Sequence, residues 1–370
     1  MTEQNTSSRR KFLRETAYMA GATISLPSFS GVLSHINQKD RLGVALVGLG
    51  NYSTSMLGPA LKKTSNCYLS GVVTGTPAKA KRWSVEYDIP QKNIYDYDRY
   101  DDIANNPEID IIYVVLPNSM HAEYTIRALE AGKHVICEKP MAMNGEEARR
   151  MIAAAEKANR KLAIGYRMHY DPYFIEAKKL GQEEAFGSIN YMECGLGYSF
   201  TPDPNSWKVK KSMGGGSLYN LGVYPIQSAR HTKGAEPVYV TAQATTKRNE
   251  IFKEIDEIFT WQLEFADGTL CSSYTGPVAG LDRLWAGCTN GFIELNPATA
   301  YSGQAGRTSE GPMNFEQVFQ QKLQMEDFVR CVNENKESIV RGEDGLADML
   351  IIDAIHESIN KEQPVKVASI

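Results

Sequence analysis

The sequence predicts an α/β protein in two parts, and three observations carry that prediction. Leu42 to Val47 is a short apolar run rich in branched residues, and it enters the glycine turn Gly48-Leu49-Gly50. Up to about residue 165, further apolar runs alternate with helix-patterned segments, which implies a parallel sheet with helices on both faces. From residue 189 onward, strand-like runs follow one another across short turns and are expected to pair antiparallel. A length of 370 residues leaves room for two or three domains. The 42% apolar and 23% charged fractions exclude wholesale disorder. A net charge of −4 gives no electrostatic footprint for nucleic acid. No uninterrupted apolar stretch of about 18 residues signals a transmembrane helix.

The first forty residues read as a signal and arm, residues 1–40. Arg9-Arg10-Lys11-Phe12-Leu13-Arg14 precedes a mildly apolar run from Ala17 to Leu26. The adjacent arginines with Phe12-Leu13 resemble a twin-arginine signal, which addresses a folded protein to the periplasm through the twin-arginine export machinery. A basic tail is the other reading. No clean Ala-x-Ala site follows Leu26, so cleavage is left open. Cys67, Cys137, Cys194, Cys271, Cys288 and Cys331 are scattered, with no C-x-x-C and no Cys/His pair at zinc spacing. They read as free thiols, and no metal site is indicated.

Residues 41–165 read as a Rossmann dinucleotide-binding domain. Gly48-Leu49-Gly50-Asn51-Tyr52-Ser53 is a G-x-G-x-x-S turn placed between a strand and a helix-like segment, Thr54 to Lys63. The first glycine allows the turn, the second admits a pyrophosphate, and the third position needs a small residue, here Ser53. The next strand, Tyr68 to Val73, ends in Thr74-Gly75-Thr76-Pro77-Ala78-Lys79. NAD enzymes place an acid near this point, yet no Asp or Glu lies between Ser65 and Val85. Hydroxyls and the cations Lys79, Lys81 and Arg82 suit a 2′-phosphate, so NADP is favoured over NAD. A solvated helix face is the other reading of those cations. Ile109 to Leu116, His134 to Cys137 and Lys161 to Gly165 are further strands, with helices at Ala122 to Ala131 and Glu146 to Asn159. Ligands bind outside the carboxyl ends of such strands. Leu116-Pro117-Asn118 with His121, Glu138-Lys139-Pro140, and Tyr166-Arg167 lie there.

Residues 166–370 read as the substrate and oligomerisation domain. Ile189 to Gly197, Val238 to Lys247, Ile258 to Phe265, Thr269 to Gly276 and Leu284 to Leu295 are strand-like. Ala266-Asp267-Gly268-Thr269 is a hairpin signal. Phe315 to Asn335 and Gly345 to Glu362 read as terminal helices, which can pack back on the first domain.

Taken together, these segments resemble the Gfo/Idh/MocA oxidoreductases. Gly48-Leu49-Gly50, Leu116 to Glu123, Ala131 to Pro140, Gly214-Gly215-Gly216-Ser217-Leu218 and Gly222-Val223-Tyr224 carry the resemblance. It runs from about Leu42 to Val365, and it is strongest to the glucose–fructose oxidoreductase branch. The resemblance implies a C-terminal α+β domain built on a large, mostly antiparallel open sheet. One face of that sheet carries helices, and the other makes the contacts of a homodimer or homotetramer. It implies that Lys139 and Tyr224 are the catalytic pair, with Lys139 lowering the pKa of the Tyr224 phenol. His121 is a further candidate at nicotinamide or substrate. Arg167, Trp207 and Lys208 match segments that reach the cofactor. In that branch the position of Asn220 holds an Asp. An Asn cannot take a proton, although it can hydrogen-bond a sugar hydroxyl.

The resemblance therefore implies an exported NADP-dependent enzyme acting on sugars. It would oxidise the C1 hydroxyl of an aldose to a lactone, with a second sugar carbonyl as acceptor. An NAD-dependent glycoside hydrolase on the same fold and a non-catalytic sugar-binding protein are the alternatives.

Overall fold

The computed structural model describes Lys39 and residues 41–370. The export signal expected at Arg9 to Leu26 lies outside the described residues. Two sheets organise the chain. The first has the order β3-β2-β1-β4-β5-β6 and is entirely parallel. Its strands are β1 (Leu42–Val47), β2 (Cys67–Val73), β3 (Ile94–Tyr95), β4 (Ile111–Val114), β5 (His134–Cys137) and β6 (Leu162–Ile164). Every residue of β1 is buried, as the apolar run requires for a strand covered on both faces. Strand order reverses between β1 and β4, so a crevice opens at their carboxyl ends.

Local chemistry explains the helix ends. Asn144 caps the helix Gly145–Ala158 by accepting from the Glu147 amide at 2.9 Å, and Asn159 ends it with a left-handed φ of 49°. The segment after the glycine turn is less regular than expected: a π-helical stretch Ser53–Leu57 precedes a short helix Gly58–Leu61.

The second sheet has nine strands in the order β14-β13-β12-β11-β7-β10-β9-β8-β15. They are β7 (Ile189–Gly197), β8 (Pro237–Thr245), β9 (Ile258–Phe265), β10 (Leu270–Gly276), β11 (Leu281–Cys288), β12 (Gly291–Leu295), β13 (Gly306–Thr308), β14 (Gly311–Pro312) and β15 (Val365–Lys366). All neighbours pair antiparallel except β7 and β10. Two sequence expectations change here. Leu284 to Leu295 is not one strand but part of the β11–β12 hairpin, turned at Thr289-Asn290. The Asn290-Gly291 step, a hairpin signal in its own right, marks that turn in the sequence. The β7–β10 pair is parallel because β8 and β9 form their own hairpin on the far side of β10.

In β9, Phe259, Trp261, Leu263 and Phe265 face inward, while Thr260, Gln262 and Glu264 are exposed. Helices Pro172–Gln182, Val223–Lys233 and Gly342–Lys361 supply core residues on the inward side. The helix Gln320–Asn333 packs back on the first sheet, where Met325, Phe328 and Val329 join Leu46 and Trp83 in one core. Each such large side chain contributes about 1.5–3 kcal/mol when fully buried. Among the described residues no helix is long and apolar enough to cross a membrane.

Candidate active site

A cleft of about 800 Å³ lies at the carboxyl ends of the parallel strands and takes one wall from the second sheet domain. It brings together the expected residues from Gly48 to Tyr224, although of the three cations after β2 only Lys79 lines it and Lys81 and Arg82 do not.

The glycine turn shows why each position is small. Gly48 has a φ of +96°, and a Cβ there would lie 2.4 Å from the Val115 carbonyl oxygen. Above Gly50 there is open space, with nothing within 4 Å of a Cβ position. Ser53 is buried and donates its hydroxyl to the Gly48 carbonyl at 2.6 Å. The serine at the third position thus locks the turn as well as fitting it. These features fit a dinucleotide pyrophosphate, and Asn51 and Tyr52 continue the rim. At the end of β2, Thr74, Gly75, Thr76 and Lys79 form the neighbouring wall. Arg82 reaches back to the Thr54 hydroxyl at 3.4 Å, so it leans toward the glycine turn.

Leu116, Pro117 and Asn118 follow β4, and the Asn118 amide donates to the Gly214 carbonyl at 2.7 Å, tying this loop to the second domain. His121 departs from the catalytic expectation. It is 1% exposed, and its ring nitrogens meet the carbonyl oxygens of Pro140 at 2.7 Å and Leu116 at 2.9 Å. Burial pushes its pKa down to about 4. Neutral at ordinary pH, the ring carries one N–H and donates to one of these carbonyls while its other nitrogen is shut in against the second, so His121 positions the loops that hold Leu116 and Lys139.

Glu138 and Lys139 follow β5, and the Lys139–Pro140 peptide is cis. Glu138 accepts from the Tyr113 hydroxyl at 2.7 Å, and burial pushes its pKa up to about 7. Lys139 donates to the Asn220 backbone carbonyl at 2.8 Å. Its ammonium lies over the Tyr224 ring, 4.8 Å from the centroid. Burial pushes its pKa down to about 8, against the pull of Glu138.

One expectation about charge is corrected. Burial shifts the Tyr224 phenol upward, and the main charge opposing that shift is Arg167 rather than Lys139. Asn220 meets Lys139 through its backbone, while its side-chain amide donates to the Gly216 carbonyl at 2.9 Å. Arg167 is buried, lies 5.4 Å from the Tyr224 centroid, and donates to the Thr299 carbonyl and to Gln320. Trp207 and Lys208 line the cleft as expected. Sequence reasoning missed Tyr198, Thr299 and Tyr301, which line it too. Their loops carry no pattern that marks them.

One side-chain cluster outside the cleft brings possible metal ligands together among the described residues: His169, His231 and Asp344. Its groups are already engaged. His169 pairs with Gln227 at 2.6 Å, and Asp344 pairs with His231 at 2.9 Å and Arg230 at 3.2 Å. The Arg230 guanidinium opposes a second cation there. The cluster is a buried polar network linking the Arg167–Tyr170 turn to helices Val223–Lys233 and Gly342–Lys361.

Comparison with known proteins agrees with this geometry. Residues 42–166 match the oxidoreductase family's NAD-binding Rossmann fold, 174–294 the GFO/IDH/MocA C-terminal domain, and 299–367 the oxidoreductase family's C-terminal alpha/beta domain. An aldose-aldose oxidoreductase from Caulobacter crescentus, solved with glycerol, is 37% identical with a TM-score of 0.85, covering 88% of this chain and 99% of that one. A D-xylose 1-dehydrogenase [NADP(+)] from Haloarcula marismortui is 28% identical over 335 residues, 87% of this chain and 92% of its own. A levoglucosan dehydrogenase solved with NADH is 25% identical with a TM-score of 0.75, over 89% of this chain and all of its own. The glycine turn, the half-buried Lys139 and these matches together place the chain in the Gfo/Idh/MocA family of NAD(P)-dependent oxidoreductases.

Proposed function

We propose that the protein is an exported NADP-dependent sugar oxidoreductase that oxidises an aldose at C1 to the lactone and then reduces a second sugar carbonyl. The observation carrying the chemistry is the half-buried Lys139, oriented by the Asn220 carbonyl and set over the Tyr224 ring inside the cleft. A nicotinamide nucleotide held along Gly48, Gly50 and Lys79 would supply the hydride acceptor and donor. Lys139 and Tyr224 move the proton of the reacting hydroxyl. In oxidation the C1–H electron pair leaves as hydride and the O–H proton goes to this pair; in reduction both return to a carbonyl. A lysine titrating near neutrality suits both directions, because each proton form is accessible.

NADP is supported by the acid-free wall of Thr74, Thr76 and Lys79, by Arg82 leaning toward the glycine turn, and by the NADP(+) named for the xylose dehydrogenase relative. The paired-sugar reaction is supported by the aldose-aldose relative. Export is supported by Arg9-Arg10 with Phe12-Leu13. An exported enzyme meets little free nucleotide, so a recycled, tightly held one suits it. Assembly through the uncovered sheet face completes the proposal.

The test is to identify the nucleotide that co-purifies by mass, add D-glucose, and follow nicotinamide fluorescence. Expected are bound NADP, a fluorescence rise with glucose, and its decay when a second sugar is added. A protein that holds no nucleotide and cannot be reconstituted with NADP sinks the proposal. Release of nitrophenol from aryl glycosides without a second sugar would point to the glycosidase reaction instead.

A further inference from the structure

One wall of the cleft is built with more care than proton transfer requires. The segment Ala298 to Tyr301 is held from both sides. Asp282, on β11, accepts through one oxygen from the Ala298 amide at 3.2 Å, the Thr299 amide at 2.8 Å and the Thr299 hydroxyl at 2.9 Å. From the other side Arg167 donates to the carbonyls of Thr299 and, at 3.3 Å, Ala300. Thr299 is buried as a result.

The next residue, Tyr301, behaves differently. Its ring lies 4.0 Å from the Arg167 guanidinium, which backs one face. Yet Tyr301 is 49% exposed and lines the cleft. The same guanidinium also lies over the Tyr224 ring, so the two tyrosines flank one side chain. The Tyr52 ring also lies 6.2 Å away at 31°, and the surface that remains exposed, on a rigidly backed aromatic ring facing an enzyme cleft, suits a ligand. A pyranose ring carries axial C–H groups on its faces and hydroxyls around its edge. Its face fits an aromatic ring, which leaves its edge free for Lys139 and Tyr224.

We propose that Tyr301 is the platform on which the pyranose ring of the substrate rests, and that Asp282 is the positioning residue that fixes it through Thr299. This rests on the sugar-oxidoreductase reading above. The cleft's other occupant, the nucleotide, is the competing partner for the ring, and the experiment separates the two.

D-glucose binding to the full chain with its nucleotide is measured by calorimetry, and KM and kcat for glucose are measured in parallel. The variants are Tyr301→Ala, Tyr301→Phe, Asp282→Ala and the double variant Tyr301→Ala/Asp282→Ala. Tyr301→Ala should weaken glucose binding about tenfold, while Tyr301→Phe keeps the ring and the affinity. Asp282→Ala should raise KM for glucose more than it lowers kcat, and it should add little in the Tyr301→Ala background. Undiminished glucose affinity in Tyr301→Ala, or an equal loss of nucleotide affinity, overturns the platform. Additive effects in the double variant overturn the role of Asp282. A wild type that binds glucose without oxidising it would sink the oxidoreductase reading and leave the platform standing. A wild type that binds no glucose would sink the platform.

Discussion

Lys139 Nζ lies 4.8 Å from the centre of the Tyr224 ring. The ammonium thus faces the electron-rich surface of the ring. It is held there by the Asn220 carbonyl, one helical turn before Tyr224. Lys139 follows β5 of the parallel sheet and Tyr224 lies on the helix Val223–Lys233, so the pair forms only where these two parts of the chain meet.

Removing that pair separates chemistry from binding. Lys139→Ala should lower kcat by about 10²- to 10⁴-fold while the nucleotide still co-purifies. Tyr224→Phe should act in the same direction. Rapid-mix fluorescence of the bound nicotinamide checks both, and unchanged turnover in Lys139→Ala removes the lysine from the mechanism.

The pH dependence follows from burial. Lys139 is pushed down to about 8, so its basic amine form grows as pH rises through that value. Sugar oxidation should therefore accelerate with pH up to about 8. Glu138 holds the lysine proton on. Glu138→Gln removes that attraction, so the rising limb should move to lower pH. Rate profiles of the oxidative half-reaction test the direction, and an upward move contradicts the assignment.

Nucleotide preference should respond to the cations beside β2. The double variant Lys79→Ala/Arg82→Ala should weaken NADP binding by roughly tenfold to a hundredfold, as expected for lost charge-assisted contacts to a phosphate. NAD affinity should barely change. Equal losses for both nucleotides would mean that these side chains do not reach a 2′-phosphate.

The two glycines of the turn should fail in different ways. Gly48→Ala forces a Cβ against the Val115 carbonyl at a φ of +96°, costing roughly 1–3 kcal/mol in backbone strain alone. Thermal unfolding should shift down. Gly50→Ala meets no protein atom and should keep its unfolding midpoint, yet lose nucleotide, because the new methyl enters the pyrophosphate space.

Export should depend on the arginine pair. Arg9→Lys/Arg10→Lys should leave folded, nucleotide-loaded protein in the cytoplasm, as cell fractionation would show. Undisturbed delivery to the periplasm would rule out the twin-arginine route.

Much of this was legible in the chain itself. The strand Leu42–Val47, its glycine turn and the Glu138-Lys139-Pro140 run are local features, and local sterics and periodicity dictate them. The alternation that follows specifies a parallel sheet, and a parallel sheet specifies which strand ends form the cleft. Less was legible where contacts join distant residues. His121 read equally as a reactive and as a structural histidine until two carbonyl oxygens closed on its ring. Tyr301 carried no sequence signal, and its role depends on Arg167, far earlier in the chain, lying behind its ring.

By itself, then, the sequence determined the fold class and the nucleotide turn, because each rests on residue type and short spacing, while the pairing of Lys139 with Tyr224 was implied only by the family resemblance. Only the tertiary structure decided the charge states. Burial moved Lys139 and Glu138 toward neutrality, and Arg167 rather than Lys139 emerged as the main charge opposing the upward shift of Tyr224. Such shifts depend on desolvation and on charges meeting through space, and neither is written in the order of residues.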